Sequence, residues 1–514
     1  MSLDLCARLG LVGGMVSALV LGRVGANEPG TQISRLWGER GELRLEGGRL
    51  PVFSYAGYRH GEAEIPNYPV TSSVTDFGAR GDDDEDDSEA FLQAIAATEA
   101  GAILVPPGRY VITKVLRITR PGVVLRGAGA EQTTLFFPTP LDAIEPNTGA
   151  TTEGQRTSNY SWSGGFVRLQ GWLGSRVITE VTADARRGDR RIEVKDTNGL
   201  RVGRVVEIFL NDTAENSLAA HLYSGDPGDM EKLRGKTTAS LITRVAAVEP
   251  GAVTLERELR FDVRAEWAPV VRAFEPTVRD SGVEDLTFEF PAEPYGGHFS
   301  ELGYNPVAFV NVAHCWARRL RFVNPDSGPM VGGAFNTVSD VVYESQRAPA
   351  AGGVRGHHGI YMGKPGDHLF TRFDIRMRFI HDISVSQTAG VVVSEGRGED
   401  LCFDHHKRAP FEVLFTNIDL GQGTRPWRSG GGAALGKHAG ARVTFWNLRA
   451  ETALPVPPAK FAPWSVNFVG VDFGEPAQTA PEGVWRELEP GVRARPPNLH
   501  EAQLARRLKG RGDE

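Results

Sequence analysis

The sequence predicts an all-β solenoid, a coil of stacked turns carrying a small β insertion and short capping helices, and three observations lead there. First, a short phrase recurs after Val278: a polar pair, an apolar residue, then alternation. Its clearest copies are Glu284-Asp285-Leu286-Thr287-Phe288, Arg318-Arg319-Leu320-Arg321-Phe322 and Ser339-Asp340-Val341-Val342-Tyr343, with further copies centred on Ile383, Leu401, Val443 and Val466. The gaps between centres are 34, 21, 42, 18, 42 and 23 residues, which reads as a period near 21 with 42 as its double. Such a period belongs to turns that bury their apolar face only against neighbouring turns; propeller blades and helical repeats are longer. Second, 61 glycines and 32 prolines in 514 residues exceed the usual share of roughly 12%, with no Gly-X-Y period, so turns are many and strands short. Third, helical patterning is confined to two short stretches, one near each end of the main domain.

Taken in order, residues 1–26 read as a signal peptide. Leu9 to Gly22 is apolar but falls short of the roughly 20 residues a membrane span needs. Arg8 provides the positive flank, and Val24-Gly25-Ala26 is a small-residue cleavage site leaving Asn27 first. The expectation is a secreted or periplasmic protein with no membrane span. Residues 27–70 form a lead-in that packs on the main domain, assigned to 71–480. There Val74 to Ala79 reads as a strand ending in a turn. The acidic run Asp82 to Asp87 reads as a solvated loop capping the helix Ser88 to Thr98 through Asp86, Asp87 or Ser88, since it lacks the spacing of a calcium loop. Short strands follow at 103–110, 116–118 and 123–127.

Between 177 and 261 longer alternating strands mark the β insertion, whose polar loop Asn211 to Thr238 suggests a flap or a wall over a groove. Residues 481–514 are a C-terminal segment and tail, with a helix from Asn498 to Lys509 whose basic face is solvated. This segment and the Ser88 helix would cover the open ends of the coil. Cys6 leaves with the signal peptide, so Cys315 and Cys402 are expected as core residues rather than a disulfide framework or a metal site.

Net charge is −7, yet residues 351–450 hold 13 Lys+Arg against 9 Asp+Glu and 7 of the 12 histidines. A basic, histidine-rich stretch within an acidic chain points to an anionic ligand. A domain-wide basic surface and stacking motifs are missing, which excludes nucleic acid as partner.

The phrase Val74-Thr75-Asp76-Phe77-Gly78-Ala79-Arg80-Gly81-Asp82, followed by Asp86 to Phe91 and by Val105-Pro106-Pro107-Gly108-Arg109-Tyr110, resembles the opening of pectate-lyase-superfamily proteins. That resemblance implies a right-handed parallel β-helix. The superfamily contains polysaccharide lyases, glycoside hydrolases and phage tailspikes, so it does not choose the activity. No cofactor is assigned; calcium bridging protein and substrate carboxylates, used by some lyases similar in fold, is left open.

Stacked turns lie about 4.8 Å apart, so His357, His381 and His405, spaced by 24 and 24, would form a surface ladder about 10 Å long. Around them lie four clusters: Arg355 to Tyr361, Asp404 to Arg408, Arg425 to Gly432, and Lys437-His438. These residue types suit β-elimination from a uronate sugar, which needs a neutralised carboxylate, a base for the C5 proton and an acid for the leaving oxygen. His405 or His357 is expected as base, Arg355, Lys407 or Arg428 as neutraliser, and Tyr361 as acid. His358, His406, Arg408, Lys437 and His438 would bind substrate, and Trp427 would stack on a sugar ring. Zinc is set aside because adjacent histidines on a strand point apart, leaving one ligand per pair. The expected function is a polysaccharide lyase on an acidic polysaccharide, acting as a monomer or small homo-oligomer. The alternatives are an inverting hydrolase drawing on Asp340, Asp374, Asp382 or Asp404, for which Gly356-His357-His358-Gly359 resembles an interrupted polygalacturonase signature, or a non-catalytic glycan-binding β-helix.

Overall fold

The computed structural model describes residues 31–512 apart from 152, 475–486 and 492; the expected signal peptide lies outside them. The chain is a right-handed parallel β-helix with short helices. Among the described residues one long sheet has 15 strands and a second has seven. Rungs of the long sheet run Gly282–Glu289, Trp316–Val323, Thr337–Glu344, Leu369–Ile375, Val392–Ser394, Leu414–Asp419, Thr444–Arg449 and Asn467–Val471, each paired in parallel with the next. The second sheet stacks Val167–Gln170, Val307–Ala313, Met330–Ala334, Gly356–Gly366, Phe379–Val385 and Phe403–His405.

The recurring polar pair has a backbone cause. Asp285, Arg319, Asp340, Arg372, Glu395, Asn417 and Asn447 all have positive φ, and they stack as one corner of the coil. A left-handed residue at that corner turns the chain so that apolar residues on both sides, such as Val283 and Leu286, face one core. Arg319 pairs with Asp285, Arg372 Nε with Asp340 at 2.6 Å, and Asn417 Nδ2 with Glu395 at 2.8 Å, so polar corner residues satisfy one another along the stack.

Only the copies centred on Leu286, Leu320 and Val341 occupy this corner; those centred on Val443 and Val466 lie just before their strands, whose corners are Asn447 and Gly470, and those centred on Ile383 and Leu401 differ too. Asp382 and Asp400 are not left-handed, and Ile383 lies on the second sheet. The gap from Val341 to Ile383 therefore crosses between sheets, and neither gap of 42 joins equivalent positions two turns apart. The true register pairs Leu320 with Val341, Val341 with Phe373 and Phe415 with Phe445, spacings of 21, 32 and 30 residues set by differing loops.

Val74–Phe77, expected as a strand, is a 3-10 turn after the strand Val70–Ser73; Ser73 and Asp76 exchange hydrogen bonds across it as a capping box. The helix spans Ser88–Ala97 and buries Phe91, Ala94 and Ile95 against the first turns. Asp86 accepts from the Ser88 backbone N–H at 3.0 Å, whereas Asp87 reaches back to the Arg80 N–H at 2.7 Å.

The insertion is a six-stranded antiparallel sheet from Val177 to Ala273, longer than the 177–261 expected, with its own core around Trp267 and Phe261. Its long loop folds into a helix, Ser217–Leu222, and Tyr223 donates to the Lys437 carbonyl at 2.9 Å. It therefore buttresses the coil at Lys437 and Leu435 and does not hang over the groove as a flap. Two buried carboxylates fasten the insertion: Asp367 receives Arg257 and Arg260 at 2.9 and 2.8 Å, and Glu412 receives Arg187 and Arg442, both at 2.9 Å.

The C-terminal helix spans Leu499–Gly512 and lies along the side of the coil, not over its end. Leu499 joins Leu36, Trp37 and Phe53 in covering Val392, Leu414, Trp446 and Val469, which point outward from the long sheet. Its basic face is tied down: Arg507 binds Glu62 at 2.6 Å and the Ser54 carbonyl at 2.8 Å. Cys315 and Cys402 are free and buried.

Removing the Asp367 carboxylate strands two buried guanidinium groups, so Asp367→Ala is expected to cost ~3–5 kcal/mol in urea unfolding. Acid lability follows from histidines remote from the groove. Burial, the main cause, lowers His60 to about 3 and His221, His368 and His500 to about 4. The unfolded chain takes up protons near pH 6.5 that the folded chain refuses. Stability is thus complete above about pH 6.5 and falls progressively toward pH 4, which thermal unfolding across that range would measure.

Candidate functional site

The second sheet carries a cleft of about 600 Å³ at the rungs that hold the histidines. Register decides which of them meet. His358 stands opposite His381, Ser384 opposite both Tyr361 and Asp404, and Val385 opposite His405. The expected ladder of His357, His381 and His405 is therefore not the one built. His405 follows the inward alternation of Ile383 and Val385 and is fully buried against Phe415, Phe445 and Phe461, with Nδ1 at 3.2 Å from the Phe403 carbonyl. Burial lowers it to about 4. It is a core residue, and it does not reach the cleft.

Five imidazoles do gather there: His298, His357, His358, His381 and His406. His298 comes from the loop between Glu289 and Val307 and was not anticipated; a single histidine in a glycine-rich loop gives no spacing signal. Its Nε2 lies 3.1 Å from His357 Nε2. His357 and His358 stack at 4.1 Å between ring centroids, so these sequence neighbours share one side, against the expectation that a strand sends them apart. Gly356 and Gly359 permit this packing, since a Cβ at either would meet the Phe379 ring or the Asp382 carbonyl.

Asp404 organises the cleft floor. Its Oδ2 accepts from Ser384 Oγ at 2.7 Å and His406 Nδ1 at 2.9 Å, and its Oδ1 accepts from the Gly430 N–H at 2.7 Å. Ser384 Oγ also lies 2.8 Å from His358 Nδ1. Burial opposes ionisation of Asp404, but the facing His381 and His406 hold its carboxyl well below the usual range. Burial likewise opposes charge on His406, yet Asp404 overcomes it and raises that imidazole above its ordinary value. His381, its Nδ1 3.6 Å from Asp404, is lowered by burial to about 3, and His298 by burial and His357 to about 4. Gly430 must be small: a Cβ would stand 2.9 Å from His381 Nε2 and 2.8 Å from His406 Cε1.

Other expected members divide. Tyr361, Arg408 and Arg428 line the cleft, and burial raises Tyr361 so that its hydroxyl keeps its proton. Lys407 donates to the Gly432 carbonyl at 2.8 Å on the adjoining wall. Arg355 turns to the Arg347 carbonyl at 3.1 Å, and Lys437 binds Asp226 at 2.6 Å; neither lines the cleft. His438 is buried beside His405. Trp427, expected under a sugar, lies in the core against Phe403, Phe445 and Phe461. The aromatic surface in the cleft is instead Trp162 with Phe299. Of the four aspartates considered for hydrolysis, Asp340, Asp374 and Asp382 bind Arg372, Arg376 and Arg425, and Asp404 alone joins the histidines.

Residues 71–156 match a family described as rhamnogalacturonase A/epimerase, pectate lyase-like. The resemblance to that family is thus confined to the first turns of the coil. A search of curated proteins finds no match. Among solved structures, the chain is similar to an exopolygalacturonase from Thermotoga maritima at 10% identity and TM-score 0.32, over 84% of this chain and 80% of that one. It is similar to the A-module of mannuronan C-5 epimerase AlgE6 from Azotobacter vinelandii at 12% identity and TM-score 0.26, over 82% and 98%. It is also similar to the Gp54 tailspike of Acinetobacter baumannii bacteriophage AP22, solved with capsular saccharide, at 12% identity and TM-score 0.31, over 75% and 66%.

Because His405 fills the core of this β-helix, His405→Ala is expected to lose ~2–4 kcal/mol of stability through the cavity it leaves. The mutant would keep whatever turnover its remaining folded fraction supports, which calorimetry and a per-folded-molecule rate would separate.

Proposed function

We propose that this protein cleaves an acidic, uronate-containing polysaccharide by β-elimination in the histidine-lined cleft, outside the cytoplasm. The observation that carries the reading is the Asp404–His406 pair beside Tyr361. Asp404 accepts a hydrogen bond from His406 Nδ1–H at 2.9 Å, which orients the ring and leaves Nε2 as the basic atom. An imidazole raised from its ordinary value is suited to proton abstraction near neutral pH, because a base works best with a pKa close to the working pH. Tyr361 retains its proton and is suited to protonate the leaving oxygen.

The C5 proton of a uronate is acidic enough to remove only when its carboxylate charge is offset. Arg408 and Arg428, exposed at the rim of the cleft, supply that charge. Trp162 and Phe299 offer a face on which a pyranose ring can stack. In this assignment His406 replaces His405 or His357 as base, and Arg408 joins Arg428 in place of Arg355 and Lys407. Hydrolysis by two carboxylates is less well supported, because Asp404 is buried with both oxygens engaged and Glu153 is the one carboxylate lining the cleft among the described residues.

The test is ultraviolet absorbance of an unsaturated uronide, followed on a panel of polyuronates beside a reducing-end assay. Elimination raises both signals; reducing ends without absorbance would make the enzyme a hydrolase. His406→Ala and Tyr361→Phe are each expected to lower kcat, counted per folded molecule, by about 10²–10⁴-fold; His406→Ala also loses stability, because it leaves the buried Asp404 short of a partner. Full activity in both variants would remove the proposed acid–base pair.

A further inference from the structure

The three histidines His298, His357 and His381 are not used by the reaction just described, and their arrangement is more specific than a buried cluster requires. One ligand nitrogen from each lies within 4.8 Å of those of the other two. They arrive from a loop and two adjacent rungs. His298 Nε2 and His357 Nε2 are 3.1 Å apart, and two nitrogens bound to one tetrahedral zinc ion at about 2.05 Å would stand roughly 3.3 Å apart. We propose that His298, His357 and His381 hold one divalent transition-metal ion of the zinc class, with a fourth position open to the cleft.

The surroundings are those of a metal centre. His357 Nδ1 faces the buried carboxylate of Glu301 at 3.5 Å, and Glu301 is held in turn by the Tyr295 hydroxyl. A carboxylate behind the distal ring nitrogen fixes the tautomer and aims the other nitrogen at a metal. His381 has a comparable partner in Asp404. The loop carrying His298 is fixed beforehand: Asp326 Oδ2 accepts the backbone N–H groups of Leu302, Gly303 and Tyr304 at 3.1–3.2 Å, and Arg347 holds Asp326 at 2.7 Å. His357 and His381 are almost fully buried while His298 is exposed, so access to the ion would be from the cleft.

A second grouping, His381 with Asp404 and His406, is also close. It is the poorer choice, since Asp404 already accepts three hydrogen bonds and one of them is from His406. Imidazole donors favour zinc, copper, nickel or iron over calcium and magnesium, which take oxygen. Three protein ligands and an open position are the pattern of a catalytic rather than a structural zinc site. The open position would accept an anionic oxygen of whatever occupies the cleft.

The experiment uses the full chain stripped with a chelator, dialysed, and titrated with Zn²⁺ by calorimetry and with Co²⁺ by visible absorption. One ion per chain and the intense absorption of four-coordinate Co²⁺ are expected. His298→Ala, at an exposed loop position that leaves the core intact, should weaken Zn²⁺ binding at least 100-fold. Glu301→Gln, which alters only a positioning residue, should weaken it about 10–100-fold. His438→Ala, away from the cleft, should bind as the parent does. The proposal is overturned if the parent binds no stoichiometric Zn²⁺, or if His298→Ala binds as tightly as the parent. These readouts are independent of turnover: a protein that binds Zn²⁺ as expected but releases no unsaturated product refutes the elimination reading alone.

Discussion

Everything in this molecule depends on the parallel stacking of rungs at a spacing of about 4.8 Å. A rung cannot bury its apolar residues by itself, so each turn is stable only between neighbours, and the sequence is constrained wherever one rung must lie in register on the next. The left-handed corner at Asp285, Arg319, Asp340 and their successors enforces that register, because it fixes where each chain bends. The same stacking makes a site from residues far apart in sequence. Ser384 and Asp404 are adjacent only because Phe379–Val385 and Phe403–His405 pair in parallel, and His358 meets His381 for the same reason.

Register also explains what was legible in the sequence. The corner phrase was visible because a polar residue in the left-handed region recurs at each rung, and the opening motif from Val74 to Tyr110 pointed to the fold. Spacing alone could not say on which sheet a phrase falls, and so Ile383 was grouped with positions such as Val341 that lie on the other sheet. Loops between rungs vary in length, so equal spacings of 24 did not imply equal positions: His405 is two residues past the point where alternation turns the chain inward at Phe403. The histidine-rich stretch supplies four of the imidazoles that line the cleft, whereas the parity of individual residues within it needed the backbone. His298, Glu301 and Trp162 carried no periodic signal, since they come from loops whose positions depend on tertiary contacts such as Asp326 with Arg347.

Buried charge has two uses here. In Asp367 and Glu412 each carboxylate sits between two guanidinium groups and joins the insertion to the coil. Such clusters add little net stability over apolar packing, but they are costly to break, and they fix the orientation of one sheet on another. Asp404 is different, because its partners are a serine, a backbone N–H and an imidazole that can change protonation. A fully satisfied carboxylate with a titratable neighbour is a means of setting that neighbour's proton affinity.

This difference divides the five histidines by chemistry rather than by position. His406 shares a hydrogen bond with a carboxylate that favours its charged form, so it holds a proton more readily than its neighbours. His298 and His381 are held neutral by burial, and a neutral imidazole with an unused lone pair is a ligand in want of a Lewis acid. Placing a proton-exchanging histidine next to neutral ones solves a problem that a single cluster cannot. If all five titrated together, protonating one would repel protons from the rest, and neither a defined base nor a defined ligand set would exist at neutral pH. Glu301 stands behind His357 alone, whereas Asp404 hydrogen-bonds His406 and faces His381, so the register of the rungs sets the titrating imidazole and a neutral one against the same carboxylate.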